Sequence, residues 1–172
     1  MTRRIRSPGA AVGAALLAVA AAGAGAAAIV LWPGARTSAT AGTEEQRLEL
    51  VTATGVHPLE VEIAATPERQ ALGLMYRTSL PDSKGMLFPH TEPRELTMWM
   101  RNTYIPLDMV FILRDGTVHR IEARTEPLSE RIISSDGPVF AVLEIAGGAA
   151  GRLGLKPGDK VRHALFEAPP SN

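Results

Sequence analysis

Two acids stand where acids are hard to keep. In LDMVFIL (residues 107–113) Asp108 shares a strand face with Val110 and Ile112, and in VFAVLEIA (139–146) Glu144 shares one with Phe140 and Val142. An unpaired charge at the end of an apolar strand face carries a large desolvation penalty, so something must satisfy each of them. One chemistry is an acid–base couple, two carboxyls whose pKa values are pushed apart so that one donates and one accepts a proton. The other is structural: each carboxylate accepts from an arginine, such as Arg101 or Arg77, or from loop amides. The spacing leaves both open and does not place the two acids near each other.

Arg101, Asn102 and Thr103 bring a guanidinium, an amide and a hydroxyl to a strand-to-loop transition just before Pro106. Such a trio can grip a carboxylate, a phosphate or a sugar hydroxyl, and loops carry sites disproportionately. Asn and Thr also bond nearby backbone at turns, which is the structural alternative. Apart from the initiator, the methionines all fall between Met75 and Met109. Met98 and Met100 share a face, so their thioethers are candidates for Cu(I), against the alternative of adaptable core filling. The four histidines show no metal spacing, and no G-x-S-x-G elbow or phosphate loop occurs. Cysteine is absent, which removes disulfides, thiolate nucleophiles and cysteine metal cages. No cofactor is implied.

The elements that must position these residues are short and mostly extended. Leu48 and Leu50, then Leu59, Val61 and Ile63, alternate with polar residues around the ATGVHP turn, which reads as a hairpin. Thr66 as N-cap, Pro67 at the first helical position and Glu68 in the first turn announce a helix to about Met75, weakened by Gly73. A brief apolar segment follows in KGMLFPH, then a strand with Leu96, Met98 and Met100 on one face and Thr97, Trp99 and Arg101 on the other. Residues 107–113 form a strand that returns through Asp115-Gly116, a hairpin signal, to Val118 and Ile121. A long polar connection, the strand at 139–146, a short helix and a last strand complete the chain. Many short strands with one or two short helices predict a mainly β, α+β domain, compact and barrel-like.

Equal numbers of basic and acidic residues, 18 of each, give zero formal charge and argue against a field that gathers nucleic acid. The N-terminus is different. Arg3, Arg4 and Arg6 precede a stretch uncharged from Ser7 to Ala35. Residues 1–32 are expected to be a hydrophobic helix, either an uncleaved membrane anchor or a cleaved signal. The basic leader keeps to the cytoplasmic side, so the domain lies outside, anchored to the cell membrane or secreted or periplasmic. Residues 33–47 read as a flexible linker, 48–168 as one globular domain and 169–172 as a tail.

The run ATPERQALGLMYRTSL, GMLF, MWMRNTYIPLDMVFI, DGTVHRI and VFAVLEIAGGAAGRLGLKPGDKV resembles, in that order, the prokaryotic family known as domain of unknown function 192. The family's usual Lys in its Met-Lys-Asn-Thr run is Arg101 here. The resemblance implies a compact β-rich domain, often exported or membrane-anchored, with no established activity. It singles out Gly73, Leu74, Met75, Gly85, Met86, Met100, Pro106, Gly158 and Asp159 with the residues above, and adds Arg77 and Trp99 to Arg101, Asn102 and Thr103 as ligand-binding candidates. The expectation is a tethered binding or accessory module for a small polar ligand, not primarily an enzyme. The alternatives are an Asp108–Glu144 acid–base enzyme acting on a small polar or sugar-like substrate, and Met-based Cu(I) handling.

Overall fold

The computed structural model describes residues 45–167. The segment expected at 1–32, the linker up to residue 44 and the tail at 169–172 lie outside them. The described elements run β1 (Glu45–Thr52), β2 (Gly55–Ile63), α1 (Pro67–Leu72), β3 (Lys84–Met98), β4 (Leu107–Ile112), β5 (Val118–Glu122), β6 (Ile133–Ala146), α2 (Ala149–Arg152) and β7 (Lys160–Arg162), closed by a single 3-10 turn at Ala164–Phe166.

All seven strands form one sheet in the order β5-β4-β6-β3-β2-β1-β7. Every pairing is antiparallel except β2 with β3, the step that α1 bridges. The sheet curls until its two outer strands touch. Thr117 and Lys160 form an antiparallel bridge, and the Val118 N–H donates to the Asp159 carbonyl at 2.9 Å while that of Val161 donates to Gly116 at 2.8 Å. The result is a partly closed barrel, which leaves fewer main-chain groups exposed at an edge.

The alternation of side chains splits the apolar residues into two cores. The inner face collects Leu48, Leu50, Leu59, Val61, Val110, Ile112, Leu143, Ile145 and Val161, so every one of the seven strands fills the barrel once Leu87 and Val118 are added. Ala149, Ala150 and Leu155, from α2 and the turn after it, join the same core. The outer face of β3, β4 and β6 carries the second core: Met86, Phe88, Met109, Phe111 and Val142, with Leu74 from behind α1 and Met100 from the loop after β3. Burial on both faces explains why β4 and the second half of β6 read as continuous apolar runs.

The mainly β, barrel-like architecture with few short helices is the observed one, and four boundaries differ from expectation. β1 begins at Glu45 instead of Leu48, because residues 45–47 extend the pairing with β2. α1 stops at Leu72 rather than Met75: Gly73 leaves the helix with φ 49° and ψ −134°, a conformation that glycine adopts without a Cβ penalty. The segments around 84–90 and 96–98 are one bent strand, β3, whose register with β6 shifts at Pro89/Arg94 and again at Glu95/Thr97. β6 likewise starts at Ile133, inside what reads as polar connection, because Ile133 and Ser134 pair with Met98 and Thr97.

Candidate functional site

Asp108 is the first residue of β4 to face the barrel interior, and it is 0% exposed. Its Oδ1 accepts the main-chain N–H groups of Arg124 at 2.7 Å and Gly148 at 2.8 Å, and its Oδ2 accepts that of Ala150 at 2.8 Å. Three charge-assisted bonds satisfy the carboxylate from the backbone alone. Neither Arg101 nor Arg77 reaches it; of the partners expected, the loop amides are the ones present. The local sequence allows this because β6 is followed by Gly147-Gly148. A Cβ on Gly147 would lie 2.8 Å from that of Pro106, yet its N–H bonds the Pro106 carbonyl at 2.9 Å. The tight approach swings the start of α2 over the barrel end, where its amides meet Asp108. Asp108 therefore ties β4, the loop after β5 and α2 into one unit.

Glu144 points the other way. Its register partners are Met109 on β4 and Met86 on β3; Met86 pairs with Glu62 on β2, and Met109 with Glu122 on β5. Across five strands the outer face thus carries the row Glu62, Met86, Glu144, Met109, Glu122. The outer members are neutralised. Glu62 holds Arg77 at 2.6 Å and Arg69 at 2.8 Å, and Glu122 holds Arg120 and Arg131, each at 2.6 Å. The bond from Arg77 is the main reason the Glu62 carboxyl sits below its ordinary range, and that from Arg131 does the same for Glu122. At a strand spacing of about 4.8 Å, each outer pair is roughly 10 Å from Glu144.

Glu144 is 4% exposed, and its carboxyl takes part in no hydrogen bond or ion pair with a described residue. Burial alone pushes its carboxyl up from 4.5 to about 8, so it is neutral at pH 7 and holds a proton it can donate. Among the described residues no side-chain polar atom is both sealed and unpartnered. The Glu144 oxygens therefore open onto the cavity above them, a cleft of about 190 Å³. α1 and its exit turn, Gln70 to Met75, form one wall, and Thr97, Met98 and Trp99 at the end of β3 form the other. Phe88 and Thr103 complete the lining.

The other candidates divide around this cleft. Thr103 is buried in the lining, and Trp99 stands 50% exposed at the rim. Asn102 takes φ 56° and donates from Nδ2 to the Tyr76 hydroxyl at 3.1 Å, holding the loop after β3 against the turn after α1. Arg101 is exposed and forms no ion pair with a described residue. Arg77 belongs to Glu62. Met98 lines the cleft, whereas Met100 is sealed and its sulfur accepts the Thr125 hydroxyl at 3.0 Å. Asp108 and Glu144 face opposite sides of the sheet and share no cavity. Among the described residues no group of three or more His, Asp or Glu is arranged to hold a metal ion.

Gln70, Thr97 and Phe88 belong to the lining without having been singled out. Thr97 stood on the same strand face as Trp99, which was the available signal; Gln70 and Phe88 come from elements whose packing no local pattern reveals.

A barrel sealed at one end by a backbone-bound aspartate, with a second core and a carboxyl-floored cleft on its outer face, defines the structural class. The chain belongs to the DUF192 family (Uncharacterized ACR, COG1430), whose model matches residues 49–163. Two solved structures are similar. A protein of Sinorhizobium meliloti 1021 described as a candidate transcription regulator is 46% identical, with a TM-score of 0.69, covering 72% of this chain and 96% of that one. A protein of unknown function from Novosphingobium aromaticivorans is 44% identical, also with a TM-score of 0.69, covering 73% and 89%. A comparison with curated proteins finds no match.

Proposed function

We propose that the domain is a binding module for a small polar ligand, seated in the cleft above Glu144 and carried outside the cytoplasm by the N-terminal segment. One observation carries the binding reading. Asp108 has three donors, whereas Glu144, as deeply buried, has none and opens only to the cleft. A buried polar group without a partner invites one from a ligand, and a concave site with a few convergent polar groups and a perturbed carboxyl is where ligands bind. The half-exposed Trp99 at the rim and the hydroxyls of Thr97 and Thr103 supply contact area and orientation. An acid–base couple of Asp108 and Glu144 has no common cavity in which to act. Export is supported by the leader Arg3, Arg4 and Arg6 ahead of the uncharged stretch. DNA contact is not part of this reading, because 18 basic and 18 acidic residues leave no net positive field to gather nucleic acid.

A thermal-shift screen of small polar compounds on the full-length protein tests the binding reading, since a ligand of the native state raises the melting temperature. Expected hits move the Trp99 indole N–H resonance and weaken with Glu144→Gln or Thr103→Val. Hits indifferent to both substitutions, or none at all, would sink it. Export is tested separately: the chain has no cysteine, so a Ser83→Cys variant offers one thiol, and impermeant maleimide added to intact cells should label it.

A further inference from the structure

The cleft's lining contains no Lys, Arg or His, so it offers an anion no charge to pair with. What it offers is electron-rich. Glu144 is at the floor, and the hydroxyls of Thr97 and Thr103 have lone pairs to accept with. Gln70 spends its Nε2 on the Pro89 carbonyl at 3.0 Å, which leaves its amide oxygen as an acceptor. Met98 adds a thioether, a weak acceptor, and Trp99 adds an exposed ring whose face attracts cations. An alcohol would use one or two of these groups. An ammonium, with three N–H donors and a charge, uses the set.

We infer, resting on the reading that this cleft is the binding site, that its ligand presents a protonated primary amine, which passes Trp99 and pairs with Glu144. The rest of the ligand has somewhere to go. A second cavity of about 310 Å³ shares Gln70, Phe88, Thr97 and Met98 with the first and leads along β3 to His90 and Arg94. Arg94, the cation that lines this second cavity, thus stands at the far end of the cleft, and the floor is anionic once ionised.

Free, the carboxyl at the floor is protonated; with R-NH3⁺ bound it becomes a carboxylate paired to the ammonium, and its proton leaves to the buffer. The other charged groups around it do not take that proton. Glu62 is held by Arg69 and Arg77 on one side, and Glu122 by Arg120 and Arg131 on the other. Glu95 accepts from the Ser134 hydroxyl in the outer cavity, and burial lowers the pKa of His90 there.

The test is calorimetry on the full-length protein at pH 7 with butylammonium chloride and with 1-butanol, its neutral counterpart of the same length. Butylammonium is expected to bind at least tenfold more tightly. Its heat should differ between phosphate and MOPS, neither of which is a primary amine and whose ionisation enthalpies differ, by the amount a released proton requires. Glu144→Gln, which keeps the shape of the neutral acid, should abolish the proton release and weaken butylammonium at least tenfold, and 1-butanol by much less. Equal affinity for the two probes, or butylammonium binding without proton release, overturns the amine assignment; the binding reading itself survives if neutral compounds still shift Trp99 in a Glu144-dependent way. If no compound of either kind shifts Trp99, both readings fall together.

Discussion

Asp108 and Glu144 sit one register position apart on neighbouring strands, and the fold treats them in opposite ways. Asp108 pairs with Ile145 and faces the barrel; Glu144 pairs with Met109 and faces the outer core. At the barrel end, two glycines bring backbone amides within 2.8 Å of the aspartate, and the acid becomes a fastener. On the outer face the neighbours of the glutamate along the row are thioethers, which donate nothing, and the acid stays neutral. A buried acid matched by donors belongs to the stability of the domain. A buried acid left unmatched beside a cleft weakens the empty domain and awaits a partner.

Asp108 should respond most strongly to substitution. Asp108→Ala leaves three N–H groups buried without an acceptor and releases α2 and the loop after β5 from β4. A loss of about 3–5 kcal/mol is expected in urea unfolding, with the barrel end loosened in hydrogen exchange at Gly148 and Ala150. A loss under about 1 kcal/mol would mean that the three bonds are dispensable, and the contrast with Glu144 would collapse.

Glu144 should respond with the opposite sign. Its folded pKa, about 8, lies above its ordinary 4.5, so the folded state keeps a proton that the unfolded chain has lost. Stability from this source is complete below 4.5 and declines as pH rises to about 8, on the order of a few kcal/mol in all. Glu144→Gln should flatten the unfolding free energy over that interval and leave the variant the more stable protein at pH 8.5. Parallel profiles for the two proteins would show that water or a main-chain donor already satisfies the carboxyl.

The sequence assigns both acids to their strand faces, because a period of two needs only the neighbouring residues. It does not say which face lies inside the barrel. In β4, and from Val139 to Ile145 in β6, every residue is buried, so the polar alternation that marks an outside face is missing. The cleft is harder still to foresee. Its lining comes from α1, both halves of β3, the loop after it and β6, and the continuity of β3 is hidden by Pro89 and Pro93 inside it. The trio Arg101, Asn102 and Thr103 parts company at the loop: only Thr103 turns into the cleft, a distinction set by the φ of 56° at Asn102 and not by residue type.

Glu62 should respond more weakly, since it occupies the same row as Glu144 but has two arginines. Its folded pKa is held below 4.5, chiefly by Arg77, so its contribution is present above 4.5 and lost as pH falls through the folded value. Glu62→Gln should destabilise the protein by about 1 kcal/mol at pH 7 and flatten the acid limb of the profile, without touching the decline above 4.5. If it altered that upper decline instead, the arginines would be acting on Glu144 across the row, and the two carboxyls would not be independent.

The smallest predicted effect concerns the cover of the cleft. Gln70 to Leu72 reach over Glu144 from α1, a helix of six residues whose first turn is held by the Thr66 hydroxyl accepting the Arg69 N–H at 3.3 Å. A helix this short depends on its cap and its packing more than on propensity. Thr66→Ala should remove about 0.5–1 kcal/mol at pH 4.5, where Glu144 is protonated in the folded state. At pH 8.5 the deficit should shrink, because a cover that opens more readily admits water to the carboxyl and relieves part of the burial that keeps it neutral. The pH dependence of this one substitution therefore reports on desolvation: an equal deficit at both pH values would place the shielding of Glu144 in the packing of Met86 and Met109 beside it, not in the helix above.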